Sequence, residues 1–416
     1  MDPERLDQAG HPEHDGEAPP TPTPLLAPAG GLPAVVEDPA ALARTAGEFA
    51  AGTGPIAVDA ERASGFRYSQ RAYLVQLRRA GAGTALVDPI PLGSDLSTLA
   101  PAVTGPEWVL HAANQDLACL AEVGLAPASL FDTELAGRLA GLPRVGLGPL
   151  VEQMLGLSLE KGHGAADWSR RPLPEDWLVY AALDVEVLIE LRDVLATLLT
   201  EQGKLDWAMQ EFEAVRTAPP PVPRAEPWRR TSGIHKLRKP RLLAAVRALW
   251  EARDRLAAER DIAPGRVLPD AAIVEAAAAT PETAHALAAM PIFRGRAQRR
   301  LTSYWFAALS EAARLDPSEL PRTAPPNDGP PPVARWGDRD PDAAARLAAA
   351  RAAVQGVGEQ WSVPVENLLQ PDLVRRLCWS PPADGDVAGA LRAGGARPWQ
   401  VALLSDLLEQ ALTVRS

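Results

Sequence analysis

Acidic side chains occur at the ends of apolar stretches in three separate parts of the first half of the chain. The first stretch is a predicted strand that ends in Asp59 and Glu61, which point to the same side because strand side chains alternate. In the second, Asp116 lies where a predicted strand continues into a helix. The third is a predicted helix in which Tyr180 and Asp184 lie one turn apart on one face. A fold that joins these stretches gathers four carboxylates beside one phenol.

Such a gathering of carboxylates constrains the chemistry of the folded chain, because no nearby lysine or arginine neutralises all four charges. Mg²⁺ and Mn²⁺ prefer oxygen ligands and relieve this kind of repulsion. Two such ions, about 3.5–4 Å apart, hold the attacking and the leaving oxygen of a phosphodiester in two-metal enzymes. The sequence therefore predicts a site for two divalent ions, Mg²⁺ or Mn²⁺, with Asp59, Glu61, Asp116 and Asp184 as ligands.

The order and spacing of these motifs resemble the DEDD exonuclease superfamily, in its tyrosine-bearing branch, and most closely the ribonuclease D family. The resemblance covers residues 33–200 and includes Asp-Trp-Ser-Arg-Arg-Pro-Leu-Pro at 167–174 and Leu-Gly-Pro-Leu-Val at 147–151. The histidine-bearing branch has a histidine five residues before the last acid, where this chain has Val179. Tyr180 instead matches the tyrosine branch. The resemblance implies a ribonuclease H-like α/β fold, with a mixed sheet covered by helices.

The resemblance also implies roles for individual side chains. Asp59 is expected to bridge both ions, and Glu61 to contact the attacking water or the terminal ribose hydroxyl. Tyr180 is expected to position that water, since the ordinary pKa of tyrosine, near 10, makes it a poor base. Lys161 matches a family lysine near the active site, where it either contacts phosphate or is a solvated loop lysine. His163, in a glycine-rich loop, is expected to be flexible rather than catalytic.

Two proline-rich segments divide the chain. Proline interrupts helices, so residues 217–232 and 317–339 are predicted to be extended linkers. Residues 1–32 are acidic and proline-rich and lack the parts of a secretion signal, so they are predicted to form a disordered tail. The predicted domains are an exonuclease domain at 33–216 and two helical domains at 233–316 and 340–416.

The two later blocks have the apolar spacing of helices. In the second block, Leu-Trp at 249–250, Leu-Pro-Asp at 268–270 and the loop at 294–296 resemble an HRDC domain, the small helical module named for helicases and ribonuclease D. The third block is predicted to be a second, more divergent HRDC-like domain. The expected fold class is thus an α/β exonuclease domain followed by all-α HRDC-like domains.

Charge is distributed unevenly along the chain. The net charge of −11 argues against general affinity for nucleic acid, because non-specific binding depends on neutralising phosphates. Residues 224–241, however, carry seven basic side chains against one glutamate, and a second basic cluster lies at 294–300. Each cluster is either an RNA-binding surface or a solvated charged face. The candidate RNA-binding residues are Lys161, Arg229, Arg230, Lys236, Arg238, Lys239, Arg294, Arg296, Arg299 and Arg300.

Cysteine content and hydropathy exclude other classes of protein. Cys119 and Cys378 fall in different domains without metal-ligand spacing, which argues against a disulfide framework and a zinc site. The sequence has no apolar run of 18 residues, so we expect no membrane partner and a cytoplasmic location. No feature identifies a protein partner, and a monomer is expected.

The leading hypothesis is a 3′→5′ exoribonuclease that releases 5′-mononucleotides from structured RNA. The ribonuclease D resemblance implies tRNA precursors as the substrate class. A DNA 3′→5′ exonuclease would use the same acids, and no residue in the sequence decides whether a 2′-hydroxyl is recognised. A non-enzymatic RNA-binding protein is the other alternative. A missing acid would indicate it, and all four acids are present.

Overall fold

The computed structural model of the protein describes residues 21–160, 162–220, 222–324 and 329–416. The strands are Thr23–Leu25 (β1), Val35–Val36 (β2), Thr53–Arg62 (β3), Ala72–Ala80 (β4), Gly83–Val87 (β5), Glu107–Leu110 (β6), Ser129–Asp132 (β7) and Leu157–Leu159 (β8). The helices of the first domain are Pro39–Ala51 (α1), Ala100–Val103 (α2), Leu117–Glu122 (α3), Thr133–Leu139 (α4), Leu147–Leu155 (α5), Glu175–Glu186 (α6), Leu188–Glu201 (α7) and Leu205–Arg216 (α8). The main sheet has the order β2-β5-β4-β3-β6-β7. Strands β3, β4 and β5 are antiparallel neighbours, whereas β3, β6 and β7 are parallel.

Strand β3 lies in the middle of this sheet because its first half is apolar on both faces. Ile56, Ala57 and Val58 have no exposed surface, as expected for a strand covered on both sides. Helices α6 and α7 cover the face that carries Asp59 and Glu61. The end of β3 therefore delivers both acids to the rim of the sheet, next to α6. The α/β organisation expected from the sequence is confirmed.

The predicted helix with Tyr180 and Asp184 is α6, and it is followed directly by α7, the two helices meeting at Val187. Helix α6 begins after Pro174, with Glu175 and Asp176 in its first turn, where acidic side chains interact favourably with the helix dipole. Just before it, Trp168 is fully buried, which anchors the approach to this helix. Helix α6 is thereby fixed against the sheet with its Tyr180 turn facing the end of β3.

No strand occurs among the described residues after α8, and the regular elements there are helices. The second block contains Pro240–Arg260 (α9), Pro264–Val267 (α10), Asp270–Ala279 (α11), Ala284–Ala289 (α12), Arg296–Arg300 (α13) and Thr302–Arg314 (α14). The third contains Trp336–Arg339 (α15), Pro341–Trp361 (α16), Val365–Leu368 (α17), Pro371–Trp379 (α18), Val387–Ala393 (α19) and Pro398–Leu412 (α20). The second block has its own apolar core, whereas the third shares a core with the first domain. Trp207 of α8 stacks on Trp399 of α20, with ring centroids 4.9 Å apart.

The second block docks on the loop that follows β3. Arg266 Nε donates a hydrogen bond to the carbonyl oxygen of Gly65 at 2.7 Å, and the Arg266 guanidinium lies 4.0 Å from the ring centroid of Phe66. The amide of Ser69 donates to a carboxylate oxygen of Asp261 at 2.8 Å. Because this loop starts directly after the acidic end of β3, docking of the second block restrains the chain beside those acids.

Replacing Arg266 with alanine is expected to weaken this docking by about 1 kcal/mol, since one hydrogen bond and one cation–π contact at an exposed site are lost. Limited proteolysis should then cut the loop at 63–71 faster than in the unmodified protein. The matched control is Arg260→Ala, because Arg260 is an exposed arginine at the end of α9. Equal cleavage rates for both variants would contradict the docking role of Arg266.

The prediction of a disordered N-terminal tail is wrong for the last part of that segment. Residues 1–20 lie outside the described residues, but β1 pairs in parallel with β8, with Thr23 opposite Leu157 and Leu25 opposite Leu159. The edge of β8 offers free backbone groups, and an edge strand tolerates Pro24. Residues 23–25 are therefore tied to the strand at 157–159.

Both linkers end earlier in the chain than was predicted from their proline content. Trp228 and Thr231 are buried in the second block, although they belong to the linker expected at 217–232. Trp336 is fully buried beside Trp379, although it belongs to the linker expected at 317–339. Burial of a tryptophan ring outweighs the local preference of proline for extended chain. Among the described helices, none is both long and apolar enough to cross a membrane.

Candidate active site

Three of the four predicted acids form one cluster. Carboxylate oxygens of Asp59, Glu61 and Asp184 lie within 4.8 Å of one another. The first two come from the end of β3 and the third from α6, so the cluster joins the first and third sequence stretches. Glu61 is buried, whereas Asp59 and Asp184 are half-buried. The arrangement leaves an opening through which a ligand can reach the carboxylates.

A cavity of about 410 Å³ opens at this cluster. Its lining includes all five residues predicted from the motifs, namely Asp59, Glu61, Asp116, Tyr180 and Asp184. Further lining residues come from β3, from β8 and the loop after it, from the starts of α5 and α7, and from the segment between β6 and α3. The three sequence stretches therefore meet around one cavity.

Asp116 lies in the cavity wall but outside the three-carboxylate cluster. Its carboxylate forms an ion pair with Arg62 Nη2 at 3.1 Å. The same guanidinium donates a hydrogen bond to the carbonyl oxygen of Gln115. Arg62 directly follows Glu61. The end of β3 therefore supplies both acids of the first stretch and also the cation that partly neutralises Asp116, the acid of the second stretch. No role was predicted for Arg62, because a contact across 54 positions cannot be inferred from local spacing.

Burial raises the pKa of all four carboxyl groups. The charges of Asp59, Asp184 and Asp116 raise the pKa of Glu61 further, while Arg62 lowers it. The charge of Asp59 likewise adds to the effect of burial on Asp116 and on Asp184. The four groups therefore resist ionising together, and their oxygens are the donors that a hard divalent cation prefers. The residues present fit such an ion.

Tyr180 lies one turn before Asp184 on α6, and its phenol donates a hydrogen bond to that carboxylate. Burial raises the pKa of Tyr180, and the charges of Asp184 and Glu61 raise it further. The phenol is therefore a neutral hydrogen-bond donor. The ring of His163 meets the Tyr180 ring edge-on, with centroids 5.7 Å apart, and His163 Nε2 lies 3.6 Å from Asp176. His163, expected to be a flexible loop residue, instead packs against the phenol.

Asp132 organises the turn that leads to Asp116. It caps α4, because its Oδ1 accepts hydrogen bonds from the amides of Glu134 and Leu135. Its carboxylate also accepts from the amides of Ala112 and Ala113, at 3.1 and 2.9 Å. The backbone at Ala112 has a φ of 58°, in the left-handed region that residues other than glycine rarely adopt. Asp132 thus stabilises the strained turn before Asp116.

Three family models match successive parts of the chain. Residues 33–200 match a 3′-5′ exonuclease domain, and residues 243–309 match the HRDC domain. Residues 329–412 match a model described as the 3′ to 5′ exonuclease C-terminal domain. The third block therefore matches this model, whereas the second block matches the HRDC model.

Two curated relatives decide the family. Ribonuclease D of Gluconacetobacter diazotrophicus is 33% identical over 286 residues, which cover 67% of this chain and 71% of that protein. Ribonuclease D of Sphingobium indicum is 32% identical over 291 residues, which cover 66% and 72%. The chain belongs to the ribonuclease D family. It is accordingly a 3′→5′ exoribonuclease, as the exonuclease domain at 33–200 also indicates.

Solved structures agree with this assignment. A protein from Bifidobacterium adolescentis is 39% identical, with a TM-score of 0.89 over 94% of this chain and 100% of its own. Escherichia coli RNase D, described as an exoribonuclease involved in structured RNA processing, is 26% identical, with a TM-score of 0.65 over 91% and 98%. The likeness spans the exonuclease domain and both helical blocks of this ribonuclease D family member.

The candidate RNA-binding residues of this ribonuclease D have different environments. Lys161 lies outside the described residues. The Arg229 guanidinium pairs with Glu226 at 2.7 Å and lies 4.3 Å from the Trp228 ring centroid, so it is engaged within the protein. Arg294 is exposed, although its Nε donates to the carbonyl oxygen of Ala289. The other candidates are also exposed, namely Arg230, Lys236, Arg238, Lys239, Arg296, Arg299 and Arg300.

Proposed function

We propose that this chain removes single nucleotides as 5′-monophosphates from the 3′ ends of structured RNA, with tRNA precursors as the substrate class. Two divalent ions, Mg²⁺ or Mn²⁺, would be held by Asp59, Glu61, Asp116 and Asp184. The observation that carries this proposal is the cluster of three carboxylates within 4.8 Å, in a cavity whose wall also contains Asp116. When bound, divalent cations polarise the scissile phosphate and stabilise the charge that develops on it.

The protein's own residues orient the reactants. The phenol of Tyr180 directs its single proton to Asp184, so its oxygen accepts a hydrogen bond from the attacking water and holds that water in place. Glu61 accepts a hydrogen bond from that water or from the terminal ribose hydroxyl. Arg62 balances the charge of Asp116, so that the wall of the cavity does not repel the phosphate as strongly as four free carboxylates would.

Support for a structured RNA substrate comes from outside the cavity. A cavity of about 410 Å³ holds only the last nucleotides, so the body of the RNA must be held elsewhere. Lys236, Arg238 and Lys239 are exposed at the start of the second block, and a further exposed arginine cluster lies at 294–300. Related ribonuclease D proteins and the structured-RNA description of the Escherichia coli protein favour RNA over DNA.

We further expect a monomer that acts in the cytoplasm. One chain contributes all four carboxylates and the phenol, so no second copy is needed to complete the site. The curated relatives are bacterial proteins, and bacteria make and trim RNA precursors in the cytoplasm, which supports this location.

The test compares a tRNA precursor with a 3′ extension against single-stranded DNA of the same 3′ sequence. With Mg²⁺ we expect stepwise shortening of the RNA and release of 5′-monophosphates, with slower cleavage of the DNA. EDTA should abolish the reaction. Equal rates on both substrates would favour a DNA or general exonuclease, and activity that resists EDTA would contradict the role of divalent ions.

A further inference from the structure

His111 lines the cavity but is not one of the acids that the motifs single out. It follows β6 directly, and its Nδ1 lies 3.0 Å from Oγ1 of Thr133, the first residue of α4. Thr133 is fully buried, and its hydroxyl donates to the carbonyl oxygen of Leu110 at 3.2 Å. A hydroxyl has only one proton to donate. When that proton is directed to Leu110, His111 Nδ1 is the donor in the contact between the two side chains.

This hydrogen bond fixes the tautomer of the imidazole. A neutral imidazole carries one N–H, so a proton on Nδ1 leaves Nε2 with a free lone pair. Burial lowers the pKa of His111 to about 4, which keeps the ring neutral near pH 7. Within the described parts of the chain, no side chain donates to Nε2. A residue that lines the cavity beside four carboxylic acids thus carries a neutral hydrogen-bond acceptor.

An acceptor of this kind selects among the groups of a terminal nucleotide. Phosphodiester oxygens carry no proton at neutral pH, so the Nε2 lone pair repels them. Base N–H groups differ among the four nucleotides, whereas an enzyme that shortens mixed sequences needs a group that every nucleotide carries. The ribose hydroxyls meet that requirement, and the 2′-hydroxyl is the one that distinguishes RNA from DNA.

We propose that His111 Nε2 accepts a hydrogen bond from the 2′-hydroxyl of the 3′-terminal ribose and thereby contributes to the preference for RNA. Glu61 is the carboxylate expected to contact a terminal hydroxyl, which leaves the neighbouring hydroxyl for His111. Thr133 is the positioning residue, because it sets which imidazole nitrogen carries the proton. This inference rests on the proposed exoribonuclease function of the same cavity.

The first test combines three substrates with two proteins. The RNA oligonucleotides differ only in the last nucleotide, which is ribo, 2′-deoxy or 3′-deoxy, and kcat/KM is measured for the wild type and for His111→Phe. A net hydrogen bond between neutral groups corresponds to a change of about tenfold or less. We expect His111→Phe to lower kcat/KM by about that factor on ribo and 3′-deoxy ends and to leave the 2′-deoxy end unchanged.

Two results would overturn the inference while leaving the enzyme an exoribonuclease. One is an equal decrease in kcat/KM caused by His111→Phe on ribo and 2′-deoxy ends. The other is a decrease in kcat/KM on ribo and 2′-deoxy ends that is absent on the 3′-deoxy end. That pattern would mean that His111 contacts the 3′-hydroxyl. A wild type that shortens none of the three RNAs would instead contradict the proposed function itself.

The second test addresses the tautomer without any turnover. Nitrogen-15 NMR of the ligand-free protein should show the proton of His111 on Nδ1. Thr133→Val removes the acceptor and should reduce the preference for ribo over 2′-deoxy ends, while Thr133→Ser keeps the hydroxyl and should preserve it. If Thr133→Val does not fold, the wild-type spectrum still decides, because a proton on Nε2 would contradict the proposal.

Discussion

Replacing Asp59 with asparagine is expected to reduce exonuclease turnover by about three orders of magnitude, with the fold unchanged. Oxygens of Asp59 lie within 4.8 Å of those of Glu61 and Asp184, and the family resemblance gives Asp59 the bridging position between two ions. An amide in its place would remove a charged ligand from the proposed metal site. Such a change removes several kcal/mol of transition-state stabilisation, at about 1.4 kcal/mol per factor of ten in rate. The measurement is the single-turnover rate on 3′-extended RNA with Mg²⁺.

The control for Asp59 is Asp95→Asn. Asp95 is exposed in the same domain, and its carboxylate accepts a hydrogen bond from the amide of Ser97, which an asparagine side chain can also accept. This variant should retain the wild-type rate. Circular dichroism should be the same for both variants and the wild type. If Asp59→Asn kept more than about a tenth of the activity, the assignment of Asp59 as a metal ligand would be wrong.

The second large effect is expected on the stability of the metal-free protein, and it is an increase rather than a loss. Asp184→Asn should make the metal-free protein more stable by about 1–3 kcal/mol, because it removes a buried negative charge beside Asp59 and Glu61. For a domain of this size, each kcal/mol corresponds to about 2–4 °C in the melting temperature. The same substitution should abolish Mg²⁺-dependent turnover. A more stable but inactive variant is what a site built for cations predicts.

This stabilisation should depend on pH in a defined direction. Burial and neighbouring charges raise the pKa of Asp59 to about 6 and that of Asp184 above its ordinary value, so the folded state binds protons more tightly than the unfolded state. The destabilisation of the metal-free wild type therefore begins above the ordinary carboxyl pKa, near 4, and grows as the pH rises. The difference in melting temperature between Asp184→Asn and the wild type should be larger at pH 8 than at pH 5.

The control for this second prediction is added Mg²⁺. Cations that bind the folded site stabilise the wild type by mass action and should do less for Asp184→Asn, so the two melting temperatures should converge as Mg²⁺ is added. A metal-free Asp184→Asn protein that melts at or below the wild-type temperature would show that the clustered charges are already compensated within the protein.

Local periodicity was sufficient to predict which acidic side chains share a face of a strand or helix, and most of the elements that carry them. The strand expected at 55–61 is β3, and alternation along it correctly placed Asp59 and Glu61 on one side. Helical spacing likewise placed Tyr180 and Asp184 together on α6. These inferences succeed because each depends on neighbours two to four positions away, where backbone geometry dictates direction.

Contacts between distant residues could not be predicted in this way. The Arg62–Asp116 ion pair and the hydrogen bond between His111 and Thr133 both join side chains from different elements. The pairing of β1 with β8 and the docking of Arg266 on the loop after β3 likewise depend on which edges and surfaces the complete fold leaves free. Local sequence carries no information about these choices, so the tail and linker boundaries were misplaced.

The most direct measurement is a crystal structure of the wild-type protein soaked in Mn²⁺, with anomalous scattering used to locate the ions. We expect two peaks about 3.5–4 Å apart, each within bonding distance of oxygens from Asp59, Glu61, Asp116 or Asp184. Asp59→Asn crystals soaked in the same way should lose at least one peak. Mn²⁺ peaks that lie only elsewhere on the protein, or peaks unchanged in the variant, would contradict the proposal that these carboxylates form the catalytic metal site.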